Sequence, residues 1–316
     1  MKKRMFNPIL VLLSPITFFS TLWLKLVLRL TEPKTISDKI FMKLGVLPVP
    51  DNYYSPLINP VKYLKNSLSK ERNLPGLNLN IDYQLEILKK FNYKEELLKF
   101  PLKKTDDLSF YYENKFYEYV DAEYLYCMIR YFKPKRIIEI GGGYSTLMIK
   151  NAVTQNKNED SRYECNHICI EPYENKWLNS IGTDLIRKKV EDLDLSYFKE
   201  LEANDVVFID SSHIIRPQGD VLFEILEILP VLNKGVVVHF HDIYTPVDYP
   251  DYLLNKHILW NEQYILEAFL SLNKEYEIIA ALNYLYKNYK DEIIDKMPVK
   301  PIPDSWVPGA FWLIRK

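Results

Sequence analysis

The stretch Arg136-Ile-Ile-Glu-Ile-Gly-Gly-Gly-Tyr-Ser-Thr146 constrains this chain more than any other. Residues 137–140 read as a short buried strand interrupted by one carboxylate, Glu139. Gly141, Gly142 and Gly143 make a turn, and Ser145 and Thr146 are suited to open a helix that continues with Leu147, Met148 and Ile149. Glycines let backbone N–H groups approach a ligand closely, and a helix start beside them favours negative charge, so the unit suits a nucleotide-type ligand. Dinucleotide binding calls for G-x-G-x-x-G, but Thr146 stands where the third glycine belongs, which weighs against a nicotinamide-dependent oxidoreductase.

Around this unit, strand and helix periods alternate. Strands are predicted over residues 137–140, 167–170, 185–190, 205–209 and 236–240, and helices over 116–132, 145–152, 175–181 and 221–231. Such repeats imply a parallel sheet with right-handed crossovers and helices on both faces. A helix near residues 260–270 then precedes strands at 276–282 and 310–314. No helix is expected between those last two, which suggests an antiparallel hairpin at the sheet edge. In sheets of this kind ligands sit beyond the carboxyl ends of the strands. Glu171, Glu191-Asp192, Asp210 and His241-Asp242 all fall at such ends.

With 316 residues and a formal charge of −1, the molecule has no basic field for nucleic acid. Cys127, Cys165 and Cys169 are odd in number and without paired C-x-x-C motifs, so they read as reduced thiols in a cytosolic compartment. Residues 1–31 form a separate segment. Basic Lys2, Lys3 and Arg4 precede residues 8–24, which carry no charge, and Lys25, Arg29 and Lys34 follow. No small-residue cleavage site marks a secretory signal. The stretch is short for a spanning helix and holds Pro15, whereas an anchor lying in the interface over residues 5–30, with Trp23 at the headgroups, satisfies both basic flanks. Both membrane readings place the catalytic part at the cytoplasmic face. Residues 32–115, rich in scattered prolines, read as a lead-in or cap, and residues 116–316 as the catalytic domain.

Without the third glycine, the turn leaves E-x-G-x-G from Glu139 to Gly143, which resembles motif I of the class I S-adenosylmethionine-dependent methyltransferases. With Phe208-Ile-Asp-Ser-Ser-His213, Val238-His-Phe-His-Asp-Ile-Tyr-Thr-Pro246, Trp260-Asn-Glu-Gln-Tyr264 and Gly309-Ala-Phe-Trp-Leu-Ile-Arg315, residues 110–316 look like a bacterial family of that class. The resemblance implies a Rossmann-like, mostly parallel seven-stranded sheet ending in an antiparallel hairpin, S-adenosylmethionine as cofactor, and methyl transfer. It gives Glu139, Gly141, Gly142, Gly143 and Ser145 to the donor, Glu171 to its ribose hydroxyls, and Asp192 or Glu191 to its adenine.

Three readings of the remaining cluster stay open. Asp210, His241 and Asp242 hold a divalent cation that lowers the pKa of an acceptor hydroxyl, a layout resembling the catechol-type O-methyltransferases, with position 213 where that group places its base. A histidine at 241 then favours Mn, Fe or Zn over Mg. Alternatively no metal binds and His213 or His241 takes the hydroxyl proton, with Asp210 beside them. In the third reading these side chains are a structural hydrogen-bonded cluster. Trp260, Asn261, Gln263 and Tyr264 are candidates for acceptor contacts. The expected function is O-methylation of a sugar or other small hydroxyl-bearing acceptor, such as a membrane-proximal glycan. The rival is a catalytically silent, membrane-tethered partner in a glycan-assembly complex.

Overall fold

A computed structural model of the chain describes residues 8–30, 35–55, 57, 59–106, 108–173, 175–301, 303 and 306–316. The chain divides into two compact units, Met1–Ser67 and Leu68–Lys316.

In the first unit, helices span Pro8–Leu12, Ser14–Leu30 and Ile36–Leu44. Pro15 sits in the first turn of the second helix, where its missing N–H leaves no intrahelical bond unmade. Thr35 caps the third helix by accepting from Asp38 N, and Gly45 ends it at φ 68°. Among the described residues no helix is long and apolar enough to cross a membrane. Lys2, Lys3, Arg4 and Lys34 lie outside the described residues.

The second unit is built on one seven-stranded sheet. Its strands are β1 (Arg136–Ile140), β2 (Asn166–Ile170), β3 (Asp184–Ile186), β4 (Val206–Ile209), β5 (Val237–Phe240), β6 (Tyr276–Ala281) and β7 (Phe311–Arg315). The order is β3-β2-β1-β4-β5-β7-β6. β1 to β5 run parallel, and β7 lies antiparallel between β5 and β6. The expected mixed sheet with its edge hairpin is therefore present. β4, an unbroken Val/Ile/Phe run, and β5, interrupted only by His239, are buried along their whole length, as strands covered on both faces require. Helices Tyr119–Phe132 and Tyr144–Glu159 contribute to the core on one face. The helical stretch from Asp220 to Val231 and the helix Glu262–Leu270 contribute to the core on the other.

Several boundaries differ from the sequence expectation. The first domain helix starts at Tyr119 rather than 116. Asn114 ties the preceding loop through four hydrogen bonds, to Tyr111 O, Tyr117 O, Phe116 N and Tyr117 N, and Lys115 and Tyr119 take positive φ. The expected helix over 175–181 is a 3-10 turn, Lys176–Ser180, and the 221–231 helix carries a π turn, Glu224–Ile228. The connection between β6 and β7 holds helices Leu282–Asn288 and Lys290–Lys296.

Residues 68–115 are not a surface lead-in. Helix Ile81–Lys90 packs on β6, where Gln84 Oε1 accepts from Ala281 N at 2.7 Å. Phe91, Leu97, Phe110 and Tyr112 are buried in the same core as the sheet. The sequence predicts a helix around residues 83–100, and helices Ile81–Lys90 and Lys94–Leu97 lie there; the rest of the segment has no helical or strand period to announce the core it enters.

Candidate active site

Strands are added to one side of β1 up to β3 and to the other side from β4 onward, and a ligand crevice opens at such a switch point. A cavity of about 530 Å³ lies there, lined by Gly141–Gly143, Ile170, Glu171, Val190, Glu191 and Asp210 among others. Gly141 has φ +83°, and a Cβ on it would stand 1.9 Å from the carbonyl oxygen of Asp210. A Cβ on Gly142 would meet Cys169 Sγ at 2.4 Å. Both positions accept only glycine without a shift of their neighbours. The helix Tyr144–Glu159 begins at the cavity, and Thr146 Oγ1 caps it by accepting from Gly143 N at 3.0 Å. Thr146, where a dinucleotide motif would have glycine, thus closes the helix start.

Glu171 lines the cavity with its carboxylate held by backbone: Oε2 accepts from Gly142 N at 3.3 Å and Oε1 from Tyr173 N at 2.8 Å. Of the acidic pair after β3, Glu191 lines the cavity and Asp192 does not. The 3-10 turn Val190–Asp192 sets which of the two faces inward. Glu139 departs from the expectation of a donor contact. It is fully buried beneath the glycine turn, accepts from Ser145 Oγ at 2.7 Å, and pairs with His167 Nε2 at 2.9 Å. Neighbouring sheet and helix cover both faces of β1, so the carboxylate props the turn from below, and Ser145 spends its hydroxyl on it.

Beside this cavity the ends of β4 and β5 bring His213, His241, Asp210 and Asp242 together. Asp210 Oδ1 lies 3.3 Å from His213 Nε2 and 3.6 Å from His241 Nδ1. Asp242 Oδ2 lies 3.7 Å and 3.5 Å from the same two nitrogens. Potential ligand atoms of Asp210, His241 and Asp242 all fall within 4.8 Å of one another. Each imidazole also meets an outer carboxylate: His213 Nδ1 pairs with Glu262 Oε2 at 2.8 Å, and His241 Nε2 lies 3.7 Å from Asp121 Oδ2. Burial works against the charges of Asp210, His213 and His241, but their opposite partners overcome it. The Asp210 carboxyl is held well below the usual carboxylate range by His241 and His213. His213 is raised well above its ordinary value by Asp210 and Glu262, and His241 by Asp242 and Asp210.

The helix expected to carry acceptor contacts is used differently. Asn261 Oδ1 accepts from Ile215 N at 2.6 Å, and Gln263 is fully buried between Tyr244 N and Val247 O. Tyr264 donates to Asp248 away from the cluster. Only Trp260 stays at the rim, its ring 4.4 Å from that of His213. Sequence reasoning missed Tyr117, which lines the cavity with its ring 4.9 Å from His241, and Asp220, which accepts from Ser212 N and Oγ at the cavity wall. Tyr117 lies outside every strand end, so no motif announced it. Asp220, directly after Gly219 at a helix start, carried a signal that went unused.

Residues 138–243 match a family model described as a methyltransferase domain. Over these residues the chain is similar to that family. The match takes in the glycine turn, Glu171, Asp210, His213, His241 and Asp242. An uncharacterized protein of Archaeoglobus fulgidus is 27% identical over 180 residues, covering 53% of this chain and 79% of that protein. Among solved structures, the methyltransferase domain and its flanks are similar to the O-methyltransferase TomG of Streptomyces achromogenes in complex with SAM. That likeness has a TM-score of 0.38 and 13% identity, over 73% of this chain and 90% of that one. An O-methyltransferase from Bacillus cereus in complex with SAH gives a TM-score of 0.37 and 11% identity, over 74% and 91%.

Proposed function

We propose that the domain transfers the methyl group of S-adenosylmethionine to a hydroxyl oxygen of a sugar or another small hydroxyl-bearing acceptor, bound beside Asp210, His213, His241 and Asp242. One observation carries this reading: Asp210 lines the donor cavity and the same carboxylate pairs with both histidines. Donor and proton-handling groups therefore share one residue. Glu171 is placed to accept the ribose hydroxyls, Glu191 stands on the adenine side, and the Gly141–Gly143 backbone takes the methionine part.

The reaction breaks the sulfonium–methyl bond, forms an ether oxygen–methyl bond, and releases S-adenosylhomocysteine and one proton. The methyl carbon is already activated, so the protein must align donor and acceptor and deal with that proton. The cluster's charge favours a divalent cation over an unaided histidine base. The carboxylates of Asp121, Asp210 and Asp242 outnumber the two imidazoles they face, even with both rings protonated. Asp210, His241 and Asp242 would hold the ion, and one imidazole with two carboxylates suits Mn, Fe or Zn better than Mg. Such an ion, when bound, lowers the pKa of the acceptor hydroxyl.

The acceptor is membrane-proximal in this reading. In the helix Ser14–Leu30, exposed Ile16, Phe18, Phe19, Leu22, Trp23 and Leu26 cover an arc of roughly 160° at about 100° per residue, and Lys25 and Arg29 lie at or beside its polar edge. An apolar arc bordered by cations suits a helix lying in a lipid interface, at the cytoplasmic face where the methyl donor is available.

Calorimetry with S-adenosylhomocysteine tests the donor site. Binding in the micromolar range is expected for the full chain, with at least a tenfold loss in Glu171→Ala. A folded protein that binds none sinks the proposal. Labelled methyl donor incubated with membrane and soluble extracts identifies the acceptor. Label on a nitrogen or carbon atom would overturn the hydroxyl assignment.

A further inference from the structure

Glu262 has been given no task in methyl transfer, yet it is buried and in contact with the cluster. Its Oε2 lies 2.8 Å from His213 Nδ1, its Oε1 has no hydrogen-bond partner, and the residue is 1% exposed. The contact runs both ways. The backbone N–H groups of Asn261 and Glu262 donate to His213 O at 3.0 and 3.2 Å, while the Glu262 side chain engages the His213 ring. His213 needs such a clamp, because its φ of +59° is one that a histidine seldom adopts. Asn261 adds a bond to Ile215 N on the far side of the same loop, and the Trp260 ring packs on the imidazole.

An imidazole has two nitrogens, and the partner of one decides what the other can do. With Nδ1 tied to Glu262, only Nε2 is left to face Asp210 and Asp242, at 3.3 and 3.7 Å. We propose that Glu262 is a positioning residue that fixes the ring of His213, so that Nε2 always faces the cluster at the donor cavity. Its consequence for catalysis rests on the methyl-transfer reading, but the ring orientation does not. Glu262 touches neither donor nor acceptor in this scheme. It acts through His213.

The chain has five histidines, so ring-labelled histidine in the full-length protein gives a resolvable nitrogen spectrum, with His213 assigned by its loss in His213→Asn. The expected wild-type result is a hydrogen-bonded, slowly exchanging proton on Nδ1 of His213. In Glu262→Met, which removes the acceptor at similar volume, that proton should exchange fast. Glu262→Gln, which keeps an acceptor oxygen, should restore slow exchange. Methyl transfer should fall at least tenfold in kcat in the Met variant with less than threefold change in acceptor KM, and recover in part in the Gln variant. S-adenosylhomocysteine affinity should stay within twofold, which also reports that the variant is folded. A wild-type His213 without a protected Nδ1 proton overturns the proposal, even if neither variant folds. So does a folded Met variant with unchanged kcat. A protein that shows the protected proton but neither binds donor nor transfers methyl retains the geometry and refutes the methyl-transfer reading instead.

Discussion

Gly141 and the carbonyl of Asp210 touch across the switch point of the sheet: a Cβ at 141 would lie 1.9 Å from the Asp210 oxygen and 2.9 Å from its carbon. The first residue of the glycine turn and the acid at the end of β4 therefore compete for one volume. Gly141→Ala meets two costs. The left-handed φ of +83° costs an L side chain roughly 1–2 kcal/mol, and the clash displaces Asp210 itself. The variant should melt at lower temperature and bind S-adenosylhomocysteine at least tenfold more weakly. Donor affinity unchanged from wild type would show that Asp210 and the glycine turn are not coupled.

The cation proposed for Asp210, His241 and Asp242 predicts a metal-dependent activity. Exhaustive chelation of the purified chain should abolish methyl transfer, and Mn²⁺, Fe²⁺ or Zn²⁺ should restore it more effectively than Mg²⁺. Asp242→Asn should weaken metal activation at least tenfold while leaving donor affinity within about twofold, since Asp242 does not line the donor cavity. Full activity in the presence of chelator would remove the metal from the scheme.

The sheet, the glycine turn and the strand-end acids were legible because each is a local pattern: an apolar run, then glycine or a carboxylate where the run stops. Which side such a residue faces was less so. Glu139 sits in a strand covered on both faces, and only the structure shows it bonded to Ser145 and His167 under the turn. Glu191 and Asp192 are adjacent, and a 3-10 turn, which the sequence pattern did not reveal, decides between them. Asn261 and Gln263 looked like free amides, but they satisfy the backbone of loops at 215, 244 and 247, which are distant in sequence. Glu262, between them, was passed over because its partner lies 49 residues away.

Glu123 sets a pH dependence remote from the site. It is fully buried, Oε1 accepts from Val299 N at 3.1 Å, and Oε2 has no partner. Burial pushes its carboxyl well above the ordinary value, against the pull of that single N–H. In the unfolded chain the same group loses its proton near the ordinary glutamate value of about 4.3. Above that pH the folded state carries a proton that the unfolded state has shed. Stability therefore falls as pH rises, and levels once the folded carboxyl also titrates. Glu123→Gln should remove this component and stabilise the protein at neutral pH, by about 1.4 kcal/mol for each pH unit by which the solution lies above the unfolded value, up to the folded one. Urea unfolding at about pH 5 and about pH 7 measures it. An equal stability difference between variant and wild type at both pH values would show that folded Glu123 holds no proton that the unfolded chain has shed.

His239 points to the same side of β5 as His241 but belongs to the core. Its ring lies 4.2 Å from that of Phe208, nearly parallel at 20°, and 4.5 Å from that of Trp312, and neither nitrogen has a hydrogen-bond partner. A buried polar group without partners costs on the order of 1–3 kcal/mol, which an apolar ring of similar shape avoids. Phe at this position keeps the stack between Phe208 and Trp312 and adds little volume, so overpacking is the only opposing cost. His239→Phe should leave stability unchanged or raise it by up to about 2 kcal/mol in chemical unfolding, with donor affinity within twofold of wild type. A loss of more than about 2 kcal/mol would mean that the imidazole makes a polar contact worth more than its burial costs, and His239 would then count with His241 among the site residues.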